Sequence, residues 1–190
     1  VALRIGVNSG SVEADLLDKY GYPCPEALVA SAMRHCMTIE DMGFSNFVVS
    51  LKSTDTKTVL HANRLFAEQT DVPLHLGVTE AGDGQEGIIK STIGIGSLLL
   101  DGLGDTLRVS LTGDPVEEIP IARSLIRKAS LFWGKHEVLQ DNTERSDEID
   151  PYVFNRRKAN EVNLRGWCKI GANEPPAVMV YADEVTGRMD

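Results

Sequence analysis

Hydrophobic and polar positions repeat one arrangement four times along the chain. Each repeat has a short apolar run, a polar turn and a longer segment with helical period. Short apolar runs predict buried strands, and strands that alternate with helices predict a parallel sheet with right-handed crossovers, hence an α/β fold. The four predicted strands cover residues 2–8, 47–51, 73–78 and 106–111.

The predicted helices carry start and stop signals at their ends. Asp55 and Asp114 stand where N-caps are expected, Pro25 and Pro115 suit a first helical turn, and Gly43 suits a C-terminal stop. These signals and the apolar period predict four helices, over residues 26–42, 55–69, 86–100 and 115–128.

Each predicted strand is apolar at alternate positions and polar or glycine at the others. Because alternate side chains of a strand share a face, the polar face carries Arg4, Asn8, Lys52, Arg108 and Ser110. An open parallel sheet with helices on both sides would be apolar on both faces. A barrel needs an apolar outer face only, so the pattern favours a TIM-type barrel over a doubly wound sheet.

The charged residues of the polar face indicate which kind of ligand it could bind. The chain has a net charge of −9, which argues against a general nucleic-acid binder. Against this background Arg4, Lys52 and Arg108 share one predicted face, which indicates a site for an anion such as phosphate or diphosphate. Each cation taken alone could equally form a structural ion pair.

Glu80 follows directly after the third predicted strand. Barrel enzymes place their active sites at the carboxyl ends of the strands, so this position suits a catalytic carboxylate. A cap for the helix that starts near Glu86 is the structural alternative. For His75, a hydrogen-bonded core histidine is favoured over a catalytic one.

The remaining sequence features bear on the redox compartment, on membrane spans and metal sites, and on the organisation of the chain. Cys24, Cys36 and Cys168 are odd in number and form no C-x-x-C pair, which predicts free thiols in a reducing compartment. No apolar run approaches the roughly 20 residues of a membrane span, and no metal-ligand spacing is present. The chain begins within a strand without Met, which suggests a piece of a longer protein. Residues 140–150 are charged and aperiodic, and 176–181 predict a strand.

Several blocks of the sequence resemble one family. "LRIGVNSGS", "SLKST", "PLHLGVTEAG" and "IIKSTIGIGSLLLDGLGDTLRVSLTGDPVEEI" resemble the GcpE family, the 4-hydroxy-3-methylbut-2-enyl diphosphate synthases of the non-mevalonate isoprenoid pathway. The resemblance runs from Arg4 to about Lys128. It implies a TIM barrel that binds 2-C-methyl-D-erythritol 2,4-cyclodiphosphate. It also implies a separate domain whose [4Fe–4S] cluster receives electrons from a ferredoxin or flavodoxin and supports reductive ring opening.

Carried over position by position, the resemblance assigns roles to six residues. Glu80 matches the acidic residue that works on the substrate opposite the cluster, in proton transfer. The residues that match the family's diphosphate ligands are Arg4, Asn8, Lys52, Arg108 and Ser110. The cysteines do not match the cluster ligands, so this chain is expected to bind no cluster and to be inactive alone.

The resemblance also predicts a domain organisation. About 250 residues make a whole barrel, so four βα units make half of one. Residues 1–128 are expected to be the C-terminal half of the substrate-binding barrel, 129–150 a linker, and 151–190 the start of the inserted domain of the family's large form. The expected setting is the bacterial cytoplasm, or the plastid stroma in a plant, with a homodimer as the assembly.

Two other functions remain open from the residues. One is an α/β module that binds a phosphate ligand without redox chemistry. The other is a half-barrel that serves only for oligomerisation.

Overall fold

A computed structural model describes residues 2–133 and, for the backbone, 162–163 and 169–170. The chain divides into two compact units, residues 1–147 and 148–190. In the first unit the strands are β1 (Leu3–Asn8), β2 (Phe47–Lys52), β3 (His75–Leu76) and β4 (Thr106–Leu107). The helices are α1 (Ala14–Tyr20), α2 (Pro25–Asp41), α3 (Thr56–Ala67), α4 (Gly84–Leu100) and α5 (Pro115–Ser130).

The four strands of the first unit are parallel and neighbours in sequence order. β1 and β2 pair along their whole length, from Leu3 opposite Phe47 to Asn8 opposite Lys52. β3 pairs with β4, and a parallel bridge between Val49 and Leu74 connects the two pairs. Parallel strands separated by helices confirm the predicted α/β class, and this strand order is the one that successive units of a barrel require.

The third and fourth strands are shorter than the sequence predicts. The six-residue predictions over 73–78 and 106–111 are wrong, because the ladder covers two residues of each strand. The Leu74 N–H donates to the side-chain carboxylate of Asp105 at 2.8 Å instead of to a carbonyl of β4. A side chain has therefore taken the place of the next rung of the ladder.

The helix predictions hold in position and differ at the ends. α2 begins at Pro25, one residue early, and α4 begins at Gly84, two residues early. α3 is shorter at both ends than predicted, and α5 continues to Ser130, two residues into the predicted linker. The predicted linker beyond residue 133 and the predicted strand over 176–181 lie outside the described residues.

The helices cover the apolar face of the strands. Ile5, Val49, Leu51 and Leu76 belong to one buried hydrophobic cluster. Asn63 of α3 is fully buried and fastens the helix to the sheet, because its amide donates to the carbonyl of Leu51 at 3.1 Å. The opposite face of the strands, which the sequence predicts to be polar, is left for the candidate site.

In the second unit the structure describes one antiparallel pair, β5 (Val162–Asn163) with β6 (Lys169–Ile170).

Candidate functional site

Three cations lie on the face of the strands that the helices do not cover. Arg4 in β1 is exposed whereas its neighbour Ile5 is buried, and Arg108 is exposed just beyond β4. Lys52 at the end of β2 is half-buried, and its pKa is lowered by burial and then by the charges of Arg4 and Arg108. The charges of Arg4 and Arg108 are therefore close enough to act on Lys52.

The cations start from different levels of the sheet. In the register of β1 and β2, Asn8 lies opposite Lys52, whereas Arg4 lies opposite Val48. Four residues of strand separate these levels, about 13 Å at 3.3 Å per residue. The backbone of Arg4 is thus at the amino end of its strand, and its side chain shares the face rather than the rim.

The side chain of Lys52 reaches the segment that follows β3. A β-carbon placed on Gly77 would lie 3.1 Å from both Cε and Nζ of Lys52 and 3.3 Å from the carbonyl oxygen of Arg108. The ammonium group therefore lies over the backbone that follows β3, next to the backbone of the arginine on the neighbouring strand.

Glu118 of α5 holds the segment that contains Arg108. Its side chain is buried, at 7% exposure. One carboxylate oxygen accepts the Leu111 N–H at 3.0 Å, and the other lies 3.7 Å from Nε of Arg108. Ser110 is half-buried at the alternate position after Arg108, with the buried Val109 between them. Sequence reasoning missed Glu118. The one available signal was the pair of acidic residues, Glu117 and Glu118, in the first turn of the predicted helix.

A polar cleft lies at the carboxyl ends of the first three strands. Asn8 organises it, since its amide nitrogen donates to the Thr79 hydroxyl at 3.2 Å and its amide oxygen accepts the Gly10 N–H at 3.2 Å. These contacts link the end of β1 to the segment after β3 and fix the orientation of the amide. The residues that line the cleft are Asn8, Ser9, Gly10, Ser11, Thr54, Thr79 and Glu80.

Glu80 lines this cleft with an exposed side chain and an unusual backbone. Its φ is +50°, the one positive φ at a non-glycine residue in the part of the chain that the structure describes. The N-cap position of α4 falls on Asp83, three residues later, so the alternative of Glu80 as the helix cap does not apply. The N–H of Thr79 donates to the carbonyl of Ser53 at 3.1 Å, which anchors the segment just before the carboxylate.

His75 lies among the same cations. Its Nδ1 is 2.8 Å from the Thr106 hydroxyl, which agrees with the prediction of a hydrogen-bonded histidine. Burial, followed by the charges of Lys52, Arg4 and Arg108, lowers the pKa of His75 to about 4, so the ring is neutral at pH 7. Its alternation with the buried Leu76 is consistent with a place on the polar face. The proximity to three charges depends on the packing of the strands.

The described cysteines are separate from this site. Cys24 and Cys36 are buried free thiols at the start and in the middle of α2, and burial raises the pKa of Cys36 to about 11. Among residues 2–133, no three His, Cys, Asp or Glu side chains are grouped so that they could hold a metal ion. None of the helices described here is long and apolar enough to cross a membrane.

Comparison with known proteins gives consistent matches over most of the chain. The family model described as the GcpE TIM-barrel domain matches residues 1–123. A protein of Aquifex aeolicus is 57% identical over 150 residues, which is 79% of this chain and 42% of that protein. A protein of Brevibacillus brevis is 56% identical over 131 residues, 69% of this chain and 36% of its own length.

A third relative matches a larger share of the chain. The protein of Clostridium acetobutylicum is 52% identical over 165 residues, 87% of this chain and 46% of its own length. All three carry the name 4-hydroxy-3-methylbut-2-en-1-yl diphosphate synthase (flavodoxin). The chain thus spans less than half the length of these curated relatives.

Proposed function

Because this chain belongs to the GcpE family, we propose that it forms the substrate-binding half-barrel of a 4-hydroxy-3-methylbut-2-enyl diphosphate synthase. In this proposal the substrate is 2-C-methyl-D-erythritol 2,4-cyclodiphosphate, and the reaction opens its ring reductively in non-mevalonate isoprenoid biosynthesis. The relatives named for this reaction match the chain at 52–57% identity.

The observation that carries the proposal is the cationic face. The charges of Arg4 and Arg108 lower the pKa of Lys52, and all three cations lower the pKa of His75, so positive charge accumulates on this face of the strands. One buried carboxylate, that of Glu118, lies 3.7 Å from Nε of Arg108 and offsets part of this charge. Like charges held together raise the free energy of the folded chain, and an anion removes that cost. A diphosphate, with two phosphoryl groups, matches three cations and the polar groups of Asn8 and Ser110.

Glu80 supplies the candidate proton-transfer group. It lines the same cleft as Asn8, which is proposed to bind the substrate. Its left-handed backbone turns the chain at the rim, and such strain is concentrated at functional positions. A carboxylate there can exchange a proton with a substrate hydroxyl, provided that neighbouring cations hold the diphosphate.

The electron supply is proposed from the family. The relatives' name includes flavodoxin, and we extend a flavodoxin-type donor to this protein. The resemblance also implies a [4Fe–4S] cluster, but the residues that the structure describes do not fit one, since residues 2–133 contain no suitable ligand group. The roles proposed for this chain are therefore substrate binding and proton transfer.

The proposed assembly is a homodimer. Within residues 2–133 no strand pairs with the outer edge of β1 or of β4, and Leu3 is 46% exposed at one of them. Open edges with apolar neighbours favour association. A monodisperse species at the chain mass of 20.7 kDa in light scattering would contradict the dimer.

Turnover tests the proposal in a chimera. Residues 1–123 of this chain would replace the matching segment of the Aquifex aeolicus relative, and turnover of the cyclodiphosphate with reduced flavodoxin would be measured. We expect an active chimera, and E80Q in it should lose roughly 10²–10⁴-fold in turnover because the proton-transfer group is gone. Substrate affinity should stay near that of the parent chimera, since the cations are intact.

The outcomes separate the proposal from the simpler alternative. A chimera that binds the cyclodiphosphate but never turns it over would favour the phosphate-binding module without redox chemistry. Parent-level turnover in E80Q would remove Glu80 from the chemistry and leave the binding roles standing.

A further inference from the structure

Gly77, the residue directly after β3, lacks a side chain at the place where the end of the Lys52 side chain lies over the backbone. It is buried, and a β-carbon there would approach Cε and Nζ of Lys52 to 3.1 Å and the carbonyl oxygen of Arg108 to 3.3 Å. Carbon atoms that pack well are about 3.5–4.0 Å apart, so this β-carbon would be too close to both.

Backbone conformation does not explain this glycine. Gly77 is absent from the positive-φ residues, which include Gly82 and Gly104, so an L-residue could adopt its backbone without strain. What excludes a side chain is the space that Lys52 occupies. The carbonyl of Arg108 belongs to the backbone and yields little, whereas the end of a lysine side chain moves easily. A new methyl group would therefore displace the ammonium rather than the strand.

Gly6 provides a matched comparison on the same face. It lies in β1, at the same alternate position of its strand, and it too has no positive φ. A β-carbon on Gly6 would be 3.5 Å from the Ser50 hydroxyl, which is an ordinary contact. The two glycines of the polar face differ in burial, since Gly6 is exposed and Gly77 is buried, and in what a side chain would meet. The end of a charged side chain lies over Gly77, whereas a serine hydroxyl lies near Gly6.

We propose that Gly77 is a positioning residue: its missing side chain lets the Lys52 ammonium lie over the backbone that follows β3, next to the backbone of Arg108, where the cations of Lys52 and Arg108 can bind the same anion. The inference rests on the proposed function for its ligand, but the position of the ammonium can be tested without any ligand. Glycine at this position would then set how far the cation of β2 reaches toward β4.

The first experiment measures the titration of Lys52 by NMR in the chain labelled with ¹³Cε-lysine, with K52A used to assign the signal. In the wild type we expect a pKa below the ordinary lysine value, because of burial and then of Arg4 and Arg108. In G77A and G77V the displaced ammonium moves toward water, so its pKa should rise toward the ordinary value, with G77V showing the larger change. G6A should titrate as the wild type does. An unchanged Lys52 pKa in both Gly77 variants would overturn the proposal.

The second experiment measures binding of inorganic pyrophosphate by calorimetry. We expect K52A to bind about tenfold to a hundredfold more weakly than wild type, the range for a hydrogen bond to a charged group. G77V should match K52A, G77A should fall between, and G6A should bind as wild type. In the K52A background, G77V should cause no further loss of pyrophosphate affinity, because Gly77 acts through Lys52.

The titration of Lys52 and the binding of pyrophosphate test the roles of Gly77 and Lys52 separately. If K52A binds pyrophosphate as wild type does, the proposed role of Lys52 is wrong, and the titration still decides the role of Gly77. If K52A weakens binding and G77V and G77A do not, the inference about Gly77 is wrong and the binding role of Lys52 stands. A melting curve for each variant identifies any loss of fold, and G77A decides the question where G77V does not fold.

Discussion

The two faces of the same strands differ in burial and in charge. On the helix side Val49, Leu51 and Leu76 are completely buried, and the packing of α2 to α5 over them stabilises the fold. On the open side Arg4 and Arg108 are exposed, and like charges lie near one another. Since successive residues of a strand alternate between these faces, adjacent positions in sequence serve stability and chemistry separately.

The two faces also differ in how they respond to change. Burial of apolar groups is short-ranged and depends on shape, so a lost side chain leaves a cavity with a large cost. The open face depends on charge, and water screens exposed charges, so a substitution there affects ligand binding more than folding. The following three predictions test this separation, beginning with the largest effect.

Leu51→Ala should lower the free energy of unfolding by about 2–5 kcal/mol, the range for a buried leucine in a core. Urea denaturation would measure it. Leu3→Ala is the control, since Leu3 is 46% exposed and should change stability far less. Pyrophosphate affinity at a temperature where L51A is folded should match that of wild type. A large loss of affinity in L51A would break the separation of the two faces.

Arg108→Ala should weaken binding of the anion by about 1.5–3 kcal/mol, because a hydrogen bond to a charged group is lost. Calorimetric titration with pyrophosphate would measure it. Its stability should change by less than about 1 kcal/mol, since the contact with Glu118 is long and half open to water. R123A removes an equal charge from the exposed surface of α5 and serves as the control. Equal affinity of R108A and R123A would show that overall charge, rather than this face, governs binding.

His75 gives an effect on stability that depends on pH. Its pKa is about 4 in the folded chain and about 6.5 in an unfolded one. Between these values the unfolded chain binds the additional proton, so stability from this group is complete above about pH 6.5 and is lost as the pH falls toward 4. The difference in unfolding free energy between wild type and H75Q should therefore shrink across that window. A constant difference from pH 7 to pH 4 would mean that burial and the neighbouring cations do not lower the pKa of the ring.

The sequence predicted the first pair of strands better than the second. In β1 and β2 the alternation is uninterrupted, so bounds, faces and the positions of Arg4 and Lys52 followed from it. The apolar pattern of the third and fourth strands is just as regular, but the ladder covers only two residues of each. At the amino end of β3 the carboxylate of Asp105 takes the hydrogen bond of the Leu74 N–H. Whether a side chain or a backbone carbonyl accepts a given N–H depends on distances in the folded chain, and the hydrophobic pattern of the sequence does not give those distances.

The candidate site divides in the same way. The cations and Glu80 could be predicted because their positions follow from strand parity and from the end of an apolar run. Glu118 and Gly77 could not, since one acts through a contact between a helix and a loop, and the other through space that a distant lysine occupies. Such roles arise when elements pack, and they have no local signal.

If Glu80 has the proposed role in proton transfer, its left-handed backbone makes this position a trade-off between stability and turnover. An L-residue in that conformation costs about 1–2 kcal/mol, and glycine adopts it without this cost. Glu80→Gly should therefore make the chain more resistant to denaturation as it removes the carboxylate. Laboratory evolution for heat resistance alone would be expected to discard Glu80, whereas selection for product formation would retain it.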